Sequence, residues 1–137
     1  MKITIPHKPV PCPRPRVTKF GTFYPKNYKD FKKDVSKYLK DNYPLVHFGS
    51  ESALAIHYIF IMPRPKYLQK ASSKFQRINH SKKPDLDNLI KAINDTLQDA
   101  DIIYDDSRIV RCSGLKQIAS KDEEPHIVLV ITEVENG

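Results

Sequence analysis

Ser52-Ala53-Leu54-Ala55-Ile56-His57-Tyr58-Ile59-Phe60-Ile61-Met62 is the stretch on which the fold turns. It is rich in β-branched and aromatic residues, which predicts a strand. Both alternating faces are largely apolar, Leu54, Ile56, Tyr58 and Phe60 against Ala53, Ala55, Ile59 and Ile61. Such a strand is covered on both sides and forms the centre of the core. His57 within it reads as a packed core histidine, because no second histidine or cysteine stands nearby at metal-ligand spacing. The apolar run also falls short of the roughly 18 residues that a membrane-spanning helix needs.

On the N-terminal side, Phe31, Val35, Tyr38 and Leu39 recur at helical spacing between Asn27 and Asn42, with Lys29, Lys33, Lys37 and Lys40 on the opposite face. On the C-terminal side, Leu86, Leu89/Ile90, Ile93 and Leu97 mark a second helix that begins after Pro84 and ends near Gln98 or Asp99. Lys2 to Lys8 reads as a first strand. Arg108 to Ser120 and His126 to Val134 read as two more, joined by the polar turn Lys121-Asp122-Glu123-Glu124-Pro125. The order is β-α-β-α-β-β, which predicts a small α+β domain with two main helices packed on a mixed sheet. At 137 residues the chain is one domain, 1–137, with no room for a second.

Two basic segments interrupt this pattern. Pro9-Val10-Pro11-Cys12-Pro13-Arg14-Pro15-Arg16 is too proline-rich for a helix or a central strand and predicts an extended loop. Lys8, Arg14, Arg16, Lys19 and Lys26 are interleaved there with Phe20, Phe23 and Tyr24, a composition suited to phosphate contact and base stacking. Residues 63–83 carry seven bases and no acid, without periodicity. They predict a long mobile loop that orders on nucleic acid, with Lys70, Lys74 and Arg77 as DNA contacts.

Charge is divided along the chain. Residues 1–83 hold 18 Lys and Arg against 4 Asp and Glu, whereas residues 84–137 hold 5 against 12. A basic excess of that size suits a polyanionic partner, since each neutralised phosphate releases counterions. Only Cys12 and Cys112 are present, in no metal-binding or disulfide pattern, and the N-terminus lacks the apolar segment of a signal peptide. A reducing cytoplasm is the expected setting.

The acids fall where chemistry can use them. Asp85 stands at the entry to the second helix and Asp87 in its first turn, and Lys91 lies about 40° around the axis from Asp87, on the same face. An ordinary structural account exists: an N-cap at Asp85, a helix-dipole contact at Asp87 and an i,i+4 ion pair with Lys91. The second acidic pair, Asp105-Asp106, speaks for a site, because the short return from helix to strand brings it alongside. Two carboxylates from a helix start and one from a strand make a hard oxygen site for Mg²⁺. Strand alternation allows only one of Asp105 and Asp106 to face it, and spacing does not say which. A basic surface around such a cluster points to phosphodiester hydrolysis, with Lys91 neutralising the charged transition state or assisting the leaving oxygen.

At these residues the chain resembles the RusA family of Holliday junction resolvases, the crossover junction endodeoxyribonucleases, and in particular its phage- and prophage-borne members. The likeness rests on Lys83-Pro84-Asp85-Leu86-Asp87-Asn88-Leu89-Ile90-Lys91-Ala92 and Asp105-Asp106-Ser107-Arg108-Ile109, with Lys8-Pro9-Val10-Pro11 and Arg14-Pro15-Arg16 in support. It implies a homodimeric, Mg²⁺-dependent nuclease of recombination and repair that binds four-way junction DNA and cuts two strands of like polarity symmetrically. It also implies that the essential carboxylates are Asp85, Asp87 and Asp106 and that the essential lysine is Lys91, which leaves Asp105 as a neighbour. Two other functions compete with this one: a less selective nuclease for branched DNA, and a non-catalytic nucleic-acid-binding module whose carboxylates are only caps and ion pairs.

Overall fold

The computed structural model describes residues 1–14, 16–69 and 76–135, with the backbone alone for Arg16 and Thr22. Strands β1 (Lys2–Ile5), β4 (Leu54–Met62), β5 (Ile78–Asn79), β6 (Ile109–Ile118) and β7 (His126–Glu133) form one sheet in the order β1-β7-β4-β6-β5. Helices α1 (Lys26–Asn42) and α2 (Leu86–Asp99) pack on it, and β2 (Arg16–Thr18) and β3 (Gly21–Phe23) form a separate two-stranded ribbon. The sheet is mixed and the class is α+β. Among the described residues no helix is long and apolar enough to cross a membrane.

The long strand is central, but its neighbours differ from those the sequence suggests. β6 and β7 do not pair with each other across the polar turn; β4 lies between them, parallel to β6 and antiparallel to β7. The reason lies in α2. A helix that connects two strands carries the chain back to its starting edge, so β4 and β6 become parallel on either side of that crossover. The next strand then takes the other edge of β4.

Both helices lie on one face of the sheet and the other is covered only in part, at Ile61, which corrects the expectation of a strand buried on both sides along its length. Tyr28, Phe31, Val35 and Leu39 of α1 and Leu89, Ile93 and Leu97 of α2 are buried against Ile56, Tyr58 and Phe60 of β4, Ile3 and Ile5 of β1 and Leu129 of β7. Each such side chain contributes about 1.5–3 kcal/mol. Ala55, His57 and Ile59 stand on the other face and are only half-buried. His57 is therefore no core histidine: its Nδ1 shares a 2.6 Å hydrogen bond with the Ser113 hydroxyl on the open face.

Both helices present their lysines outward as periodicity requires, and Tyr28 of α1 donates a 2.6 Å bond to Asp95 of α2 that ties the pair together. Gly114 of β6 allows α2 to sit close, because a Cβ there would stand 3.2 Å from Leu86 and Ile90. The segment 63–83 is more ordered than a plain loop. It holds the 3₁₀ turn Lys66–Leu68 and strand β5, which pairs with β6. Arg64 donates to the carbonyls of Leu68, Gln76 and Ala119, which anchors both arms of the segment. Lys70 and Lys74 lie outside the described residues. Strand β1 is also shorter than expected and ends at Ile5, and the described residues 8–14 before the ribbon β2–β3 form no helix or strand.

Candidate active site

The N-terminus of α2 is the centre of the candidate site, and it is built by three tethers. Lys116 of β6 donates its Nζ to the carbonyl of Lys82 at 2.6 Å and to that of Pro84, which fixes the approach to the helix. The Cys12 N–H donates to the Asn88 carbonyl at 3.0 Å, so the rigid proline-rich segment lies along the first turn. Between them runs a groove of about 500 Å³ lined by Pro11, Pro13, Arg14, Lys83, Asp85 and Asn88. Burial, and then the Lys116 charge, push the His80 imidazole below its usual range, so this flank carries its positive charge on lysines rather than on histidine.

The structural account of the acids holds in part: Asp87 lies in the first turn of α2, where its charge suits the helix dipole. Asp85 occupies the N-cap position with extended backbone, yet its side chain makes no capping bond, and it is exposed. Asp87 accepts only the Asn88 N–H, at 3.1 Å, and the ion pair with Lys91 that the spacing allows is not formed. Asp87 and Lys91 are both exposed. The side chains of these three residues are open to solvent and to a ligand.

Asp105 and Asp106 divide the work that strand alternation left open, and they do so in a 3₁₀ turn (Asp106–Arg108) that precedes β6, not within the strand. Asp105 caps that turn by accepting the Ser107 N–H at 3.0 Å, and these Ser107 bonds hold its carboxyl below the ordinary range. Asp106 is exposed; its carbonyl accepts the Ile109 N–H, but its carboxylate makes no hydrogen bond to protein among the described residues. Its charge reaches the Tyr58 phenol, which burial first, and then the Cys112 thiol, push well above the usual range. The Tyr58 hydroxyl in turn donates to Asn94 Oδ1 at 2.5 Å.

Asn94 lies on the same stripe of α2 as Asp87 and Lys91, about 10 Å along the axis from Asp87. Asp87, Lys91 and Asn94 thus follow one stripe of α2 with Asp85 at its N-cap position, and Tyr58, bonded to Asn94, feels the charge of Asp106. Among the described residues no three acidic, histidine or cysteine side chains close into a metal-holding group. Sequence reasoning missed Tyr58, Asn94 and Lys116. Asn94 was detectable as the next polar position on the Asp87–Lys91 stripe; Tyr58 and Lys116 act through contacts that only the sheet creates.

The model of the RusA endodeoxyribonuclease family matches residues 6–132. The chain belongs to that family. No curated protein matches it. The RusA match runs from the foot of β1 almost to the end of β7 and so takes in both helices and every candidate residue described above. The protein is accordingly an endodeoxyribonuclease of the kind that resolves Holliday junctions, and junction DNA is its substrate class.

Of the basic residues, Arg14 lines the Asp85 groove, Lys8 and Lys19 are on the same proline-rich and ribbon segment, and Lys26 opens α1. Arg77 is already engaged, with Nε and Nη2 donating to the Glu123 carboxylate at 2.6–3.1 Å. This bond, before any other cause, brings Glu123 down to about 2. A depressed carboxyl stabilises the fold above its ordinary pKa and loses that contribution as pH falls through its folded value. Arg77→Ala is therefore expected to lower stability by about 1 kcal/mol, a figure that allows for solvent screening of this half-exposed pair. The deficit should be constant from neutral pH down to about 4.5 and shrink toward pH 2. Thermal unfolding of both proteins across that range is the check; a deficit independent of pH would show that Arg77 stabilises through packing.

Proposed function

We propose that this RusA-family nuclease is a Mg²⁺-dependent homodimer that resolves four-way junctions in recombination and repair by paired, symmetrical nicks. One observation carries the reading: Asp85, Asp87, Lys91 and Asp106 are all exposed, and among the described residues none of the four is spent on an ion pair. A structural set of charges would have been paired or used as caps.

The donor set suits a small hard cation. It consists of carboxylates alone, and Mg²⁺ uses only one or two of them while keeping several waters. Asp85 and Asp87, two residues apart at the start of α2, would hold it, with Asp106 approaching from the turn before β6. When bound, the ion supplies Lewis-acid charge at the scissile phosphate. Lys91, one turn beyond Asp87 on the same stripe, would supply an ammonium that stabilises the added negative charge of the transition state and can deliver a proton to the leaving oxygen. Arg14 and Lys83, on the walls of the Asp85 groove, hold the flanking phosphates. Arg16, Lys19, Lys26 and Lys8 extend that track, and Lys70 and Lys74 add charge to the 63–83 segment. A two-fold dimer presents two such sites to the equivalent phosphates of a two-fold junction.

The test is cleavage of a labelled synthetic four-way junction and of a linear duplex of the same sequence, with Mg²⁺ and with EDTA. Paired nicks in the junction alone, lost in EDTA, are the expected result. Cuts at flaps and forks at comparable rates would make the enzyme a general branched-DNA nuclease. Tight binding without cutting across a panel of divalent metals would overturn the proposal.

A further inference from the structure

The ribbon β2–β3 carries an aromatic group that the fold does not use. Among the described residues the two strands pair only with each other, and Phe20 in the turn between them is 79% exposed. Turn positions ordinarily hold residues that ease the backbone reversal. Here that task falls to others: Thr18 Oγ1 accepts the Phe20 N–H at 3.2 Å, and Gly21 supplies the positive φ of 127°. The Phe20 ring is left in solvent, accompanied by the Lys19 ammonium 5.2 Å from its centroid. An aromatic face with a cation beside it is the combination that stacks a base and holds its phosphate.

The ribbon is connected to the candidate active site by surface, not only by chain. Arg14 lines the groove that contains Asp85, and it also lines a second cavity of about 360 Å³ with Phe23, Tyr24 and Pro25 at the foot of the ribbon. Arg14, Lys19 and Lys83 make the track between carboxylate and ribbon positive, which suits a nucleic-acid backbone and not a second copy of a similarly basic ribbon. Within a linear duplex both faces of each base pair are covered by stacking, and opening a step costs a few kcal/mol. At the crossover of a four-way junction that stacking is interrupted.

We propose that Phe20 is the residue that selects the junction: its ring stacks on the base pair laid open at the branch point, while Lys19 and Arg14 hold the adjacent phosphates. This inference rests on the junction-cleaving function proposed above. The experiment uses the full-length protein in EDTA, with a four-way junction that carries 2-aminopurine at the branch point and a linear duplex as reference. Phe20→Ala is expected to weaken junction binding about 10- to 100-fold. It should also remove the protein-dependent fluorescence change, with duplex affinity and melting temperature unaltered. Phe20→Trp should restore both signals.

An Ala variant that binds the junction and perturbs 2-aminopurine like the wild type would overturn the inference while the resolvase reading stands. Equal losses on junction and duplex would assign Phe20 to general DNA contact, and conversion of a sedimenting dimer to monomer would assign it to a protein interface; either result overturns the proposal. A wild-type protein that does not distinguish junction from duplex would remove the resolvase reading itself.

Discussion

Asp87→Asn is expected to lower junction cleavage by about 10³-fold or more while junction binding stays at wild-type strength or tightens. The amide keeps the shape of the carboxylate and can still accept the Asn88 N–H, so the first turn of α2 has no reason to change. What disappears is a negative charge on an exposed side chain. A metal ligand at a hydrolytic centre contributes several kcal/mol of charge stabilisation to the transition state, and about 4 kcal/mol corresponds to that loss of rate. The ground-state complex, in contrast, loses a repulsion between carboxylate and phosphate. Single-turnover cleavage in Mg²⁺ and junction titration in EDTA separate the two effects. A variant that cuts at near wild-type rate would remove Asp87 from the metal site, and a variant that neither cuts nor binds would place it in the DNA interface.

Lys91→Ala is expected to reduce the cleavage rate by about 10²- to 10³-fold, the usual effect of deleting one donor to a developing charge. Lys91 is exposed, and it forms no ion pair with Asp87. Thermal stability should therefore stay within about 0.5 kcal/mol of wild type. Lys91→Arg discriminates between the two tasks assigned to the ammonium. Arginine carries the charge but does not give up a proton in proteins. Substantial recovery of rate by arginine would mean that charge is the main requirement; no recovery, with binding intact, would mean that proton delivery to the leaving oxygen is. A collapse of the melting temperature in Lys91→Ala would instead make the residue structural.

These experiments address residues that were legible before any coordinates, and the reason is local. The Asp85, Asp87 and Lys91 positions follow from a helix whose apolar stripe, Leu86, Leu89, Ile93 and Leu97, can be counted at a period of 3.6. The structure places that helix at Leu86–Asp99, as the stripe predicts. Helix α1 was equally legible, with its buried Phe31, Val35 and Leu39 opposite a lysine face. The mixed sheet and its central strand were anticipated, but the partner of each strand was not. The His126–Glu133 strand pairs with β4 and not with its sequence neighbour β6, and no local signal carries that choice. The two-residue strand β5 exists only because β6 offers it a free edge.

The acidic pair at 105–106 shows the same division at the scale of one turn. Composition marks both residues as candidates, and strand alternation was the wrong rule for separating them, because they precede the strand. A cap at Asp105 consumes one carboxylate on Ser107, and the neighbour is left free. By itself, then, the sequence determined the helices, the long central strand and the residues available for chemistry, since each rests on the periodicity of a single element or on residue type. Only the tertiary structure decided the strand order, the open face of the sheet, the Tyr58–Asn94 bond and the turn that separates Asp105 from Asp106. All but the turn are contacts between segments far apart in the chain, and they form only when the β4–α2–β6 crossover closes over the core.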